Sequence, residues 1–150
     1  MKSLFCLFFA LAMIYSSAAE NDFFRYPADK INGRTTFRDA SGKYSGRAVK
    51  NGNRTIYYDA SGKYAGKAVT SGNRTVYYDA SGKYAGNSVK NGSSTRFYNS
   101  SGRFDGSARE NRNQTTYHDA SGKYSGTLRQ QGGRSAGYGR NGKFSGSASR

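Results

Sequence analysis

Short runs of aromatic, β-branched and polar residues recur along this chain, and a glycine-containing turn follows each run. Residues 54–59 (RTIYYD) have a composition typical of a β-strand and contain no proline. A turn over residues 60–63 (ASGK) follows, and then a second strand-like run over residues 64–69. Glycine falls at least twice in every such unit, and the apolar residues lack helical spacing, which argues against a helix. The pattern therefore predicts a β-hairpin.

This hairpin unit is repeated along the chain. The stretch 59–66 (DASGKYAG) has six copies, each 20 residues after the last, and those at 99–106 and 139–146 have diverged most. Tandem units of this kind share one core with their neighbours. The sequence therefore predicts an all-β fold of six tandem hairpin repeats that form an elongated antiparallel sheet or solenoid. A closed β-barrel of the same hairpins is the alternative.

Comparison of the copies with one another predicts which face of the sheet is packed. Positions that hold the same or similar residues in nearly all copies are here called steady columns. In the second repeat they are Thr55, Tyr57, Tyr64, Gly66 and Ala68. Positions such as Ile56 and Lys67 vary from copy to copy. Because side chains alternate across a strand, we expect the steady columns to share the packed face. Aromatic rings would then lie in slots left by the glycines.

Three segments divide the chain. Residues 1–19 have the pattern of a signal peptide, with an early lysine, an apolar run too short for a comfortable membrane span, and small residues before residue 20. An uncleaved anchor is the alternative interpretation. Residues 20–31 are expected to be a linker or an N-terminal cap, and residues 32–150 form the repeat domain, with a degenerate last repeat. The predicted location is periplasmic or secreted to the cell surface, through bacterial-type export.

The charge balance predicts the class of partner. The chain has 24 Lys and Arg against 9 Asp and Glu, a formal net charge of +15, and cleavage after residue 19 removes only one of these charges, that of Lys2. So basic an exported protein is expected to bind anionic polysaccharide, lipid head groups or an acidic protein, and nucleic acid is less favoured. A second interpretation is that the lysines only keep exposed sheet edges from associating.

Two sets of residues are candidates for binding. The first set consists of the cations that follow the turns: Lys43, Lys63, Lys83, Arg103, Lys123 and Lys143. In a continuous sheet these cations would recur along one edge roughly every 10 Å. The other is an outward column of aromatic residues with cations on the same face, where rings stack on sugars or bases while the cations hold phosphate. Its members are Tyr58, Tyr78, Tyr98, Arg47 and Lys67.

Catalysis is not predicted. The G-x-S-x-G match at 133–137 lacks a strand-to-helix elbow, and no helix is expected after the G-x-G-x-x-G match at 137–142. His118 is the single histidine, in a variable column. Asp59 and its counterparts are each followed by a lysine, which suits capping of the turn better than binding of calcium. We therefore expect no catalytic residues, no metal site and no cofactor.

Three families of hairpin repeats share features with this unit. The Tyr64-x-Gly66 core with the Tyr57-Tyr58 pair resembles MORN repeats, although the unit here is shorter and lacks their His-Gly-x-Gly portion. The stretch 58–63 (YDASGK) is similar to the core of YD repeats of bacterial surface and toxin-delivery proteins. Paired aromatics before a Gly-Lys turn resemble cell-wall-binding repeats, which usually contain the tryptophan that this chain lacks. These resemblances imply binding or scaffolding.

The functional expectation combines these observations. We expect an exported, non-catalytic binding or scaffold protein that recognises an anionic component of the cell envelope, either glycan or lipid head groups. The alternative is a protein–protein interaction module, such as an inhibitor of a toxin or an envelope assembly factor.

Overall fold

The structure is a computed structural model that describes residues 28–31 and 33–150. The predicted signal peptide and most of the predicted linker lie outside the described residues. A short 3-10 helix, Ala28–Lys30, precedes twelve strands. The strands are β1 (Arg34–Asp39), β2 (Tyr44–Asn51), β3 (Arg54–Asp59), β4 (Tyr64–Ser71), β5 (Arg74–Asp79), β6 (Tyr84–Asn91), β7 (Ser94–Tyr98), β8 (Phe104–Asn111), β9 (Gln114–Asp119), β10 (Tyr124–Gln131), β11 (Arg134–Gly139) and β12 (Phe144–Ser149). The prediction of an all-β fold built from hairpins is confirmed.

The sheet closes on itself. Each strand pairs with its neighbours in the sequence, and β1 also pairs with β12, from Thr36 opposite Ser149 to Asp39 opposite Gly146. The elongated open sheet is therefore not formed, and the barrel given as its alternative is. Strand twist brings the ends of such a sheet together, and closure removes the two edges that would otherwise expose unpaired backbone groups.

Two kinds of turn alternate around the barrel. In the second repeat the Asp59 amide donates to the carbonyl of Lys63 at 2.9 Å, the Gly62 amide donates to the carbonyl of Asp59 at 2.9 Å, and Gly62 has a φ of 83°. This is a three-residue loop that ends in a left-handed glycine. At the other end of the barrel the loops have two central residues, the first of which is glycine in most copies, as at Gly52 with a φ of 58°.

A β-bulge in each hairpin changes which residues face outward. Gly66 pairs with Tyr57, whereas Tyr64 pairs with Tyr58, so Ala65 is the extra residue between them. One extra residue reverses the side-chain parity of the strand beyond it. Tyr64 consequently lies on the outer wall with 41% of its surface exposed, and the expectation that it shares the packed face with Gly66 is wrong. The same correction applies to Tyr84, Phe104, Tyr124 and Phe144.

The remaining steady columns line the interior as predicted. Thr55, Tyr57 and Ala68 are each at most 3% exposed. Glycine recurs in this column, however, for a different reason from the predicted slot for an aromatic ring. A Cβ atom on Gly126, the counterpart of Gly66, would lie 2.6 Å from the backbone carbonyl oxygen of Tyr138 in the next strand. The close approach of two backbones, and not a packed ring, excludes a side chain there.

The degenerate sixth repeat is compensated by its neighbour. Gly137 stands in the column that holds a large ring in the other repeats. Its partner across β10 and β11 is Leu128, which is 0% exposed and occupies a column that elsewhere contains alanine or serine. The larger aliphatic side chain fills space that the missing ring leaves, in keeping with the dense packing of protein interiors.

Residues 28–31, here called the plug, lie in one mouth of the barrel. Ala28 is 3% exposed and Ile31 is 1% exposed, and both belong to the same apolar cluster as the inner-wall side chains. The mouth is the one bordered by the two-residue turns, and we refer to it as the plug end. The opposite end, with the turns 39–43, 59–63, 79–83, 99–103, 119–123 and 139–143, is the lysine end.

Candidate functional site

The predicted turn cations surround the lysine end as a ring, and not as the straight row expected for an open sheet. All of them are exposed, and each follows the left-handed glycine of its turn. Twelve strands spaced roughly 4.8 Å apart give a ring about 18 Å across, or wider once strand tilt is included. A straight polyanion would therefore contact only the cations on one side at a time.

In four of the six turns an aspartate holds the loop. Oδ1 of Asp59 accepts hydrogen bonds from the Ser61 amide at 2.8 Å, the Ser61 hydroxyl at 2.6 Å and the Lys63 amide at 2.9 Å. The hydroxyl hydrogen bond is the main cause that lowers the pKa of Asp59 below its ordinary value. Asp39, Asp79 and Asp119 repeat these contacts, so the loops hold their cations in equivalent positions.

Pairs of aromatic side chains lie on the outer wall next to the lysine end. The bulge places Tyr64 directly opposite Tyr58, and the equivalent rings of Tyr98 and Phe104 meet edge-to-face with centroids 6.2 Å apart. We call this set the aromatic belt: Tyr58 and Tyr64, Tyr78 and Tyr84, Tyr98 and Phe104, His118 and Tyr124, Tyr138 and Phe144, with Arg38 and Tyr44 in the first repeat.

Cations accompany the belt from the neighbouring strand, because Arg47 pairs with Tyr58 and Lys67 pairs with Tyr78. The guanidinium carbon of Arg47 lies 4.6 Å from the ring centroid of Tyr58, and Nζ of Lys67 lies 4.9 Å from that of Tyr78. Contacts of this kind hold a cation against the face of a ring. The structure therefore brings the two predicted residue sets into one region, because each hairpin presents a turn cation, two rings and, in these repeats, a second cation.

The sequence reasoning missed the outward aromatics of the return strand. Gly66, an isolated glycine inside a strand-like run two residues after Tyr64, was the available signal, because such a glycine often marks a bulge. Without the bulge, alternation assigns Tyr64 and its counterparts to the wrong face.

The plug end is more basic than the lysine end, which the sequence reasoning also missed. Its described side chains include one carboxylate, Glu110, and eleven cations. The cations are Lys30, Arg34, Lys50, Arg54, Arg74, Lys90, Arg109, Arg112, Arg129, Arg134 and Arg150. Four arginines recur at the first position of strands, a regularity that was visible in the sequence.

Glu110 joins the plug to the inner wall. Its Oε2 accepts from Nζ of Lys30 at 3.0 Å, and its Oε1 accepts from Nζ of Lys90 at 2.9 Å. Burial raises the pKa of Glu110, but the hydrogen bonds from the two ammonium groups outweigh it, and the pKa is lowered overall. The carboxylate therefore stays charged at neutral pH and ties two cations together.

Comparison with known proteins found no matching family model and no matching curated protein. What the structure shares with the three resembled families is the tandem antiparallel hairpin itself. Within residues 28–31 and 33–150, no helix has the length and apolar character needed to cross a membrane. Across the same residues, no group of three or more histidine, cysteine or acidic side chains is placed to hold a metal ion.

Proposed function

We propose that the mature chain is an exported, non-catalytic binding protein that recognises an acidic glycan of the cell envelope through the lysine end and the aromatic belt. The observation that carries the proposal is that the side chains of Tyr64 and its counterparts face outward, beside Tyr58 and the turn cations. A sugar ring stacks on an exposed aromatic face, and a phosphate or carboxylate on that sugar meets the neighbouring cation.

Repetition around the barrel supports a ligand with repeated charges. Neighbouring hairpins place equivalent cations two strands apart, roughly 10 Å, which is near the Debye length at physiological salt. Adjacent cations therefore reinforce one another's field. A polymer that follows the wall can use several aromatic–cation units in succession and gain affinity through multivalency.

The test is binding of the full-length mature chain to purified anionic envelope glycan over a series of salt concentrations. Changing Lys63 and Lys83 together to glutamate should weaken binding and flatten its salt dependence, because fewer cations meet the ligand. The control pair, Arg54 and Arg74 changed to glutamate, alters net charge equally at the plug end and should leave binding closer to that of the parent.

Two further variants distinguish a glycan ligand from a lipid ligand. Replacing Tyr64 and Tyr84 by alanine should weaken glycan binding, because the stacking surface is lost, while binding to anionic lipid vesicles should change little. If these variants lose vesicle binding and keep glycan binding, lipid head groups are the ligand. Should the Lys63 and Lys83 variant fold and bind both probes like the parent, the proposal fails.

A protein partner is the second candidate, and one observation favours it. The outer wall of β2–β5 carries two directly paired apolar contacts, Val49 with Ile56 and Val69 with Val76, all half-buried. A hydrophobic strip on an outer wall suits an interface with another protein. Co-purification of a stoichiometric protein with the parent, and its loss when Ile56 is changed to aspartate, would favour this function over glycan binding.

A further inference from the structure

Two adjoining cavities lie at the plug end. One, of about 540 Å³, is in the mouth of the barrel and is lined in part by Lys30, Lys50 and Arg150. The other, of about 760 Å³, is lined in part by Arg112 and Arg129. Asn113 and Gln130 line both cavities, and no acidic side chain is among the described residues that line either one. The turn that carries Asn113 therefore separates two basic depressions.

Some cations of the mouth form an ion pair with a carboxylate, and others do not. Both carboxylate oxygens of Glu110 already accept from Lys30 and Lys90. Lys50 and Arg150 form no ion pair with any carboxylate in the described part of the chain. Lys50 is at the end of β2, and Arg150 directly follows β12, so the two flank β1 at this mouth. Two cationic side chains that no described acidic side chain pairs with make this side of the mouth a site that favours an anion.

Arg112 supplies an independent observation at the second cavity. It is the single non-glycine residue with positive φ in the described chain, at 49°, and the equivalent turns have Gly52, Gly72, Gly92 and Gly132 at 56–58°. A left-handed conformation is unfavourable for a residue with a side chain, and strain of this kind is found at functional sites. An arginine here puts a guanidinium beside the second cavity at a cost to stability that glycine would avoid.

We propose that the two cavities together form a binding site for a compact oligoanion that carries at least two phosphate groups. Lys50, Arg150 and Lys30 bind one phosphate in the mouth, and Arg112 with Arg129 binds the other. The side-chain amides of Asn113 and Gln130 donate hydrogen bonds between them. Arginine suits this chemistry because its planar fork can donate two hydrogen bonds to one phosphate. The site is at the opposite end from the turn cations. It touches the aromatic belt only through Arg129, whose guanidinium carbon lies 5.3 Å from the ring centroid of Tyr138, and it does not rest on the proposed glycan binding.

The first test uses calorimetry of the mature chain with inorganic tripolyphosphate and with orthophosphate. Tripolyphosphate should bind more tightly, because it reaches both cavities. Changing Lys50 and Arg150 together to glutamine should weaken tripolyphosphate binding by about tenfold or more, since charged hydrogen bonds are lost. Glutamine already occupies the same column at position 130, so the barrel should tolerate it. The charge-matched control changes two exposed arginines of β5 and β7 that line neither cavity, Arg74 and Arg96, to glutamine, and it should leave binding within about twofold.

The second test separates the role of Arg112 in binding from its effect on the fold. Arg112→Gly should raise Tm, because the strain is relieved, and should still weaken tripolyphosphate binding by about tenfold. Orthophosphate binding should be unchanged, because the mouth is intact. A backbone NMR titration with tripolyphosphate should shift the amides of Asn113 and Gln130 and leave those of Arg74 and Arg96 unmoved.

Three results would overturn the proposal. The first is no measurable binding of tripolyphosphate by the parent. The second is an equal loss of affinity in the two double variants, which would mean that only diffuse charge attracts the anion. The third is unchanged tripolyphosphate affinity in Arg112→Gly, which would remove the second cavity from the site.

Discussion

Gly126→Ala should destabilise the barrel by about 2–6 kcal/mol, because the backbone at this position leaves no room for a side chain. The φ of Gly126 is 156°, a conformation that residues with side chains rarely adopt and that costs roughly 1–3 kcal/mol. The new Cβ would also lie 2.6 Å from the carbonyl oxygen of Tyr138. That oxygen belongs to the ladder between β10 and β11, so relief requires moving a strand, at about 1–3 kcal/mol by analogy with overpacking.

The assay is urea unfolding of the parent and of two single variants. Gly122→Ala is the matched control, because Gly122 also has a positive φ, 80°, but a Cβ atom added to it would meet nothing within 4 Å beyond its neighbours in the chain. It should cost only the conformational part, about 1–2 kcal/mol. The difference between the two variants therefore contains the contact with the carbonyl oxygen, together with any difference in conformational cost between a φ of 156° and one of 80°.

A double-mutant cycle decides between the carbonyl and a packed ring as the obstacle. Tyr117 pairs with Gly126 from the other side, across β9 and β10. If the carbonyl of Tyr138 is the obstacle, Gly126→Ala and Tyr117→Leu should be additive within about 0.5 kcal/mol. Rescue of Gly126→Ala by Tyr117→Leu, or a cost for Gly126→Ala no larger than that for Gly122→Ala, would refute the reasoning.

Three further predictions concern the plug and the turns. Glu110→Gln should lower the free energy of unfolding by about 1 kcal/mol at neutral pH. Because the pKa of Glu110 in the folded protein lies below its ordinary value of 4.5, the difference from the parent should disappear as the pH falls from above 4.5 through that lower pKa. A difference that does not depend on pH would contradict this. Ile31→Ala should cost about 2–4 kcal/mol in thermal unfolding, against less than about 1 kcal/mol for the outer-wall control Val69→Ala, and equal costs would show that the plug is not part of the core. Asp59→Ala should speed amide hydrogen exchange at Ser61 and Lys63, with the turn at Asp79 as an internal reference that stays protected.

Much of the fold is encoded in local sequence. The six copies, the strand composition of runs such as 54–59 and the turn chemistry of Asp59 and Gly62 determine twelve antiparallel strands and the places where they reverse. These features depend on residues a few positions apart, so they can be recognised without knowing the partners. The repetition likewise determines that the turn cations are equivalent and lie at one end.

Tertiary structure alone decided the rest. Closure depends on the pairing of β1 with β12, whose residues are more than a hundred positions apart, and on twist summed over the whole sheet. The bulge at Ala65 moves Tyr64 from the predicted core to the outer wall, because parity beyond a bulge depends on the register with the neighbouring strand. The proposed mouth site, too, depends on closure, which brings Lys50 and Arg150, 100 positions apart in the sequence, to either side of β1.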